Sequence, residues 1–211
     1  MLIETSQPAG KAGQIWVFDG LLPDGLCEMF LKDIKTLYPS VSYDGMTMGG
    51  VLPDTKTSFD CYFSQPTFVN AGVEWTEFHA TAEQHFLQGL RKAIAIVKNA
   101  HRALFSWSAI GDTGFQLQMY PQCEGFYREH IDAFPSTPTD TRVMSAIIYL
   151  NDVEHGGETA FPLHEVLIAP RAGRVVLFPS VWTHPHEGRT PISNDKWIIN
   201  TFLTNNEHHE H

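Results

Sequence analysis

The sequence predicts an α+β chain in which helices come first and a mainly β, barrel-like half follows. One observation is the stretch Thr76–Asn99, where Phe78, Ala82, Phe86, Leu90, Ile94 and Val97 recur at the three-to-four spacing of a helix with one apolar face. Another is the change of texture after Gly111. Phe115-Gln-Leu-Gln-Met-Tyr120 alternates strictly, and short branched or aromatic runs follow at 126–131, 142–150, 158–161, 166–169, 174–178 and 197–203. Gly, Pro and Asn-Asp punctuate these runs, and several short strands with regular turn signals in one half of a chain suggest a sandwich or barrel. A third is the length of 211 residues, which suits one domain with a sizeable core. The expected layout is helical and loop support over 1–110, a β core over about 111–204, and a tail at 205–211.

In chain order, residues 1–13 are polar, with Pro8, Gly10 and Gly13, and read as a loose lead-in. Gln14-Ile-Trp-Val-Phe18 is a short strand. Pro23 and Asp24 start a helix on which Leu26, Phe30, Leu31, Ile34 and Leu37 share a face, and Pro39 is expected to end it. Residues 40–72 are rich in breakers (Gly45, Gly49, Gly50, Pro53, Pro66) and read as a long loop with short strands, of the kind that forms a lid or a binding loop. Within it Lys56, Ser58 and Asp60 alternate with Thr57, Phe59 and Cys61, as on a half-buried strand. His79 and His85 in the long helix fall on different faces and read as packing or surface residues.

Composition excludes several classes of function. Apolar residues make up 43% and aromatics 12%, an ordinary globular balance that argues against disorder. A formal net charge of −10 disfavours a nucleic-acid binder, which needs Lys and Arg against phosphates. Cys27, Cys61 and Cys123 are odd in number and widely spaced, against a zinc site or a disulfide framework and in favour of a reducing compartment. No run approaches the roughly 18 apolar residues of a membrane span, and no signal pattern opens the chain. A soluble cytoplasmic protein is the expectation. The His-rich tail, Asn205 to His211, reads as a solvated end.

The chemistry centres on His130 and Asp132. Two residues apart on a strand, they point to one face, and an imidazole and a carboxylate completed by a distant histidine make the facial triad of non-haem iron(II) sites. A His-x-Asp alone is a weak motif, since a surface strand with two outward polar positions reads the same way. Its company strengthens it. The pair follows an alternating strand and precedes a loop with Pro135 and Pro138. Farther on, Phe178-Pro179-Ser180, Trp182 and His184 put a histidine at a strand-end turn. His186 competes with His184, and spacing alone does not decide between them. Lys196, Ile198, Asn200 and Phe202 share a strand face. If that face is interior, the ammonium needs an anion, because an unpaired buried charge is very costly. A dicarboxylate chelating the metal at its other end would supply one. Without the triad, Lys196 reads as an exposed edge lysine beside Asp195.

These residues resemble the iron(II)- and 2-oxoglutarate-dependent oxygenases, specifically the prolyl 4-hydroxylase-like branch. The likeness covers roughly 114–203, with fainter traces at 14–35 and 45–60. It rests on the Tyr120 to Asp132 segment, on Tyr149-Leu-Asn-Asp152 followed by Gly156-Gly-Glu-Thr159 and Phe161-Pro162, on Phe178-Pro-Ser with His184, and on Lys196 before Trp197. The resemblance implies a double-stranded β-helix (jelly-roll, cupin-like) barrel. It implies His130, Asp132 and His184 as the catalytic iron ligands, preferring His184 to His186. It also implies Lys196 as the partner of the distal 2-oxoglutarate carboxylate, Tyr120 as a hydrogen-bond partner of that co-substrate, and Asn200 as a lining position of its site. The spacing from Tyr120 to His130 is one residue longer than the usual pattern.

The function so implied is hydroxylation of a C–H bond using Fe(II), 2-oxoglutarate and O2, with ascorbate as a further cofactor that the resemblance allows. Related halogenases lack the carboxylate, so Asp132 argues for hydroxylation. A prolyl residue of a peptide or protein is the implied substrate, with 40–72 and the 133–141 loop closing over it. A free amino acid or small metabolite is the alternative. An AlkB-type nucleic-acid demethylase fits less well with the charge, and a metal-holding cupin-like module without turnover fits less well with the intact residue set. Gly156 and Gly157 read as a turn. Glu158 is a strand-edge residue or an acceptor for a ligand histidine, and Arg142 and Arg174 are ion-pairing residues.

Overall fold

The computed structural model describes residues 7–9, 14–47, 49–101, 111–133 and 142–204. The 205–211 tail and all of the 133–141 loop except Ala133 lie outside them. The structure is mainly β with few helices. Its strands form two antiparallel sheets, one of nine strands and one of five.

The first helix, α1 (Leu26–Val41), buries Leu26, Phe30, Leu31, Ile34, Tyr38 and Val41 along one face. Pro39 does not end it. The helix runs two residues further, and the amide of Ser42 donates to the Tyr38 carbonyl to close it. A proline in a last turn removes a single ladder bond, which the continued turn tolerates. The second, α2 (Gln65–Asn70), lies in the stretch expected to be loop. The long helix α3 (Glu77–Ala100) starts at Thr76 with a capping box whose third helical residue is His79. The His79 amide donates to Thr76 Oγ1, and His79 Nδ1 accepts from the Thr76 amide at 3.1 Å. His79 Nε2 meets Asp33 at 2.7 Å, so this histidine ties two helices together. It is a packing residue, as its spacing from His85 indicates.

In the large sheet, Gln7–Ala9 (β1) pairs with Ile15–Phe18 (β2), so a strand occupies part of the expected lead-in. Beyond β2 come β12 (Val175–Pro179), β9 (Arg142–Tyr149), β14 (Lys196–Thr204), β7 (Gln116–Tyr120), β5 (Phe59–Tyr62) and β3 (Tyr43–Asp44). The short β6 (Gly111–Asp112) also pairs with β14. The small sheet runs β11 (Val166–Ile168), β10 (Thr159–Phe161), β13 (His186–Gly188), β8 (Phe126–His130) and β4 (Lys56–Thr57).

Side-chain alternation gives the large sheet two different faces. Leu117, Ala146, Ile148, Leu177, Trp197 and Ile199 pack against Phe30, Ile34, Phe86, Leu90 and Val97 of the helices. Their neighbours in sequence, Tyr120, Ile147, Tyr149, Val176, Phe178 and Ile198, turn the other way and meet Phe161 and Ile168 of the small sheet. Burying one such side chain contributes about 1.5–3 kcal/mol, so the helices hold the sheet from behind and leave its front free for chemistry.

Candidate metal and co-substrate site

The strand β8 ends at His130, and β13 lies antiparallel beside it with His186 directly opposite His130 in register. The two imidazole centroids are 4.3 Å apart. Just past β8, Asp132 is held by its backbone: its amide donates to the Ser180 carbonyl at 3.1 Å, as does that of Ala133 at 2.8 Å. This brings the carboxylate between the rings. His130 Nε2 lies 3.4 Å from Asp132 Oδ1, and His186 Nε2 lies 3.5 Å from Oδ2. Ligand atoms of His130, Asp132 and His186 all lie within 4.8 Å of one another, and this is the group of metal-ligating side chains found among the described residues.

The ligands are oriented from outside the cluster. Nδ1 of His130 is 2.8 Å from the Arg128 carbonyl, and Nδ1 of His186 is 3.2 Å from the His184 carbonyl. A carbonyl accepts only from an N–H, so each ring carries its proton on Nδ1 and turns the Nε2 lone pair inward, as a metal-ligating histidine requires. Ser145 Oγ donates to Asp132 Oδ2 at 2.6 Å and is itself 2.9 Å from Ser180 Oγ. Tyr127 stacks on His130 at 3.5 Å between centroids, while Phe161 and Phe178 flank His186. Burial pushes the Asp132 carboxyl up, but His186, His130 and the Ser145 hydroxyl together hold it well below the usual carboxylate range. Burial lowers His186 to about 4, so the ring is neutral at neutral pH. Two neutral imidazoles and a carboxylate with these lone pairs fit an Fe(II) ion with open positions.

His184 is not part of the cluster, contrary to the expectation from sequence. After β12 ends at Pro179 the chain turns, and it rejoins the small sheet only at His186. His184 lies in that turn, with its ring stacked on His164 at 4.4 Å and Nδ1 2.8 Å from Thr183 Oγ1. Its Nε2 is buried without a hydrogen-bond partner among the described residues. What His184 gives the site is its carbonyl, which fixes the His186 tautomer. A three-residue strand is too short to announce itself by alternation, so the residues alone left His184 and His186 open, and the family resemblance then selected His184.

Lys196 lies at the start of β14 on the same front face, 2% exposed, opposite Tyr120 in register. Its ammonium sits 5.1 Å from the Tyr120 ring centroid and 5.7 Å from that of Tyr149. Among the described residues no carboxylate pairs with it. Burial lowers its pKa to about 7, with the charge of Glu158 pulling the other way. An unpaired buried charge is costly, so a lysine in this position suits an anionic ligand. Lys196, Tyr120, Asn200, His130, Asp132 and His186 all line one cavity of about 300 Å³. Tyr120 Oη donates to Gln118 Oε1 at 2.9 Å, and Asn200 Oδ1 is buried with no hydrogen-bond partner among the described residues.

Residues not assigned from sequence also line this cavity. Gln116 and Gln118 share the Tyr120 face, which the strict alternation of β7 already indicated. Lys56 reaches it from β4. Arg142 donates from Nη1 to the Asp132 carbonyl at 3.2 Å and lies 3.8 Å from the Phe202 ring centroid. Arg174 pairs with Asp19 at 2.8 Å, as an ion-pairing residue should. Glu158 makes no side-chain bond to a ligand histidine among the described residues; its backbone carbonyl accepts from Arg189. Gly156 and Gly157 both have φ of +74°, and a Cβ on Gly156 would stand 2.3 Å from the Thr190 carbonyl, so this turn requires glycine.

Residues 115–204 match the family model described as the 2OG-Fe(II) oxygenase superfamily. The alpha-1 subunit of prolyl 4-hydroxylase from Gallus gallus is 28% identical over 101 residues, which are 44% of this chain and 20% of that one. The chain thus spans about a fifth of the length of that curated relative. The fold is shared with three solved structures. A viral collagen prolyl hydroxylase from Paramecium Bursaria Chlorella virus-1, in a 2OG complex, has a TM-score of 0.63 at 20% identity, covering 90% of this chain and 96% of that one. A Trichoplax adhaerens prolyl hydroxylase, in complex with a hypoxia inducible factor oxygen degradation domain peptide fragment, has 0.70 at 20% identity, covering 91% and 84%. A Pseudomonas putida prolyl-4-hydroxylase has 0.66 at 17% identity, covering 90% and 92%. The three clustered ligands and the buried lysine lie on or beside strands of the matched segment, so residues 115–204 resemble the 2OG-Fe(II) oxygenase superfamily in sequence and in site.

Proposed function

We propose that this chain is an Fe(II)- and 2-oxoglutarate-dependent dioxygenase that hydroxylates a C–H bond, with a prolyl residue of a peptide or protein as substrate. The carrying observation is that Lys196, a buried lysine that no carboxylate pairs with among the described residues, opens into the same cavity as the His130–Asp132–His186 cluster. In this reading the two sheets form a double-stranded β-helix, and residues 1–211 are one dioxygenase domain. Its three unpaired cysteines suit a reducing, cytoplasmic setting.

His130, Asp132 and His186 would hold Fe(II), and Lys196 would bind the far carboxylate of 2-oxoglutarate. Tyr120 and Asn200 would border the co-substrate, the latter offering a buried acceptor. The loaded centre supplies the oxidation: one oxygen atom of O2 goes to the substrate and the other to succinate, with loss of CO2. The protein's share is geometry. Carbonyls of Arg128 and His184 fix the two rings, Ser145 steadies the carboxylate, and the apolar side chains around His186 keep water from it. Among the described residues no helix is long and apolar enough to cross a membrane.

A peptide substrate is favoured over a free amino acid by the rim of the cavity. Met46 and Tyr62 line it while remaining 54% and 51% exposed, and Val51 and Leu52 are exposed nearby in sequence. Apolar surface left in water beside a pocket suits a chain that continues beyond the reacting residue. Anaerobic addition of Fe(II) and 2-oxoglutarate should give a visible charge-transfer band, and a succinate-release assay over proline peptides and free amino acids should respond to the peptides. Neither band nor succinate would sink the enzyme reading; release with free amino acids alone would move the substrate.

A further inference from the structure

Beside the metal cluster, and reaching the same cavity through Lys56, lies a second buried group of charges that the proposed chemistry does not use. Asp60 is fully buried on β5, and Lys56, 4% exposed, is on β4. Lys56 Nζ donates to Asp60 Oδ2 at 2.6 Å, and Ser58 Oγ donates to Oδ1 at 2.8 Å. The two strands belong to different sheets: β4 pairs with β8 of the small sheet, and β5 pairs with β7 of the large one. This ion pair therefore bridges the sheets at the site. Close approach of the preceding segment is built in, since a Cβ on Gly45 would stand 2.1 Å from Ser58 Oγ.

Each end of the pair touches a part of the site. The Lys56 ammonium lies 5.2 Å from the Tyr127 ring centroid, and Tyr127 is the ring stacked on His130. Asp60 stands opposite Gln118 in register. The amides of Gln116 and Gln118 approach Oδ2 at 3.4 and 3.5 Å, the outer limit of a hydrogen bond, and Gln118 Nε2 donates to Gln116 Oε1 at 3.1 Å. Gln118 Oε1 in turn accepts from Tyr120, the ring beneath Lys196. A buried ion pair is a poor source of net stability, because desolvation offsets the attraction, and its best-attested use is to specify one arrangement over others.

We propose that Asp60 is a positioning residue for the metal and co-substrate site, acting through Lys56 and Tyr127 on His130 and through Gln118 on Tyr120 and Lys196. It touches neither metal nor co-substrate. The inference rests on the oxygenase reading for its co-substrate arm, while its metal arm stands on the geometry of His130.

The test uses the full chain with Asp60→Asn, Asp60→Glu and the double variant Lys56→Met with Asp60→Leu. Asp60→Asn should weaken 2-oxoglutarate binding about 10-fold and shift the charge-transfer band, the loss typical when an outer partner of a metal site is removed. It should raise the KM for 2-oxoglutarate more than it lowers kcat. The visible spectrum of bound Co(II), which needs no co-substrate or turnover, should shift as well. Asp60→Glu should recover part of each. The double variant should regain thermal stability, since apolar residues replace both charges, yet keep the weakened co-substrate binding and the shifted Co(II) spectrum. If it recovers these along with stability, the pair is merely structural and the proposal fails. It fails equally if Asp60→Asn binds Co(II) and 2-oxoglutarate as the wild type does. Should Asp60→Asn not fold, the double variant decides by the same readouts. Failure of the oxygenase reading shows elsewhere, as a wild-type protein that gives neither band nor succinate.

Discussion

Replacing His186 with Ala takes away an inward-pointing Nε2, whereas replacing His184 removes a ring that points into a stack with His164 and leaves the backbone carbonyl in place. Isothermal titration with Fe(II) or Co(II) should therefore find metal affinity lost in His186→Ala and kept within about 10-fold in His184→Ala, since only the first loses a ligand. The reverse result would return the third ligand position to His184. Lys196 supports a second prediction, one of sign. Without a bound anion its pKa is about 7, against 10.5 for an ordinary lysine, so above pH 7 the folded protein holds it largely neutral. The cost of burying its charge is full below about pH 7 and falls as pH rises toward 10.5, so this residue favours the folded state more at higher pH. Binding the 2-oxoglutarate dianion has the opposite slope, because the anion wants the proton on. Affinity for 2-oxoglutarate should fall as pH rises above 7, with proton uptake on binding. In Lys196→Met the affinity should be low throughout, with that slope absent.

At the scale of elements, the sequence carried most of what its periodicities could carry. The α3 pattern of Phe78, Ala82, Phe86, Leu90 and Val97 and the alternation of β7 both correspond to observed elements, as do β9, β12 and β14 to within a residue or two at each end. The pattern failed where an element is too short to show one. The strand β13 spans His186–Gly188, and β4 and β5 are separated by Ser58 alone as the chain passes from one sheet to the other. Over Lys56, Ser58 and Asp60 the alternation was visible. Polar residues at alternate positions read as a solvent face, whereas here they face a buried polar network. The same ambiguity separated Gln116 and Gln118 from the site. His130, Asp132 and Lys196 were legible because a metal site and a buried charge impose residue types that packing alone does not.

At the scale of the molecule, the large sheet works as a partition. Its rear residues, among them Leu117, Ile148 and Ile199, pack with the helices, and its front residues, among them Ile147, Ile198 and Lys196, line the cavity. Stability and chemistry should then be separable by mutating one face at a time. Phe86 is fully buried in α3, 5.1 Å from the Phe30 ring centroid, and has no part in the cavity lining. Phe86→Ala should cost about 3–5 kcal/mol and lower Tm on the order of 10 °C for a chain of this size. Measured well below the new midpoint, its KM for 2-oxoglutarate should stay within about twofold of the wild type, as for a site distant from the change. Ile198→Ala, one strand face away, should change that KM directly because its side chain borders the pocket. If the KM of Phe86→Ala instead moves in step with its loss of stability, the helical layer is coupled to the site, and the sheet transmits packing strain from its rear face to its front.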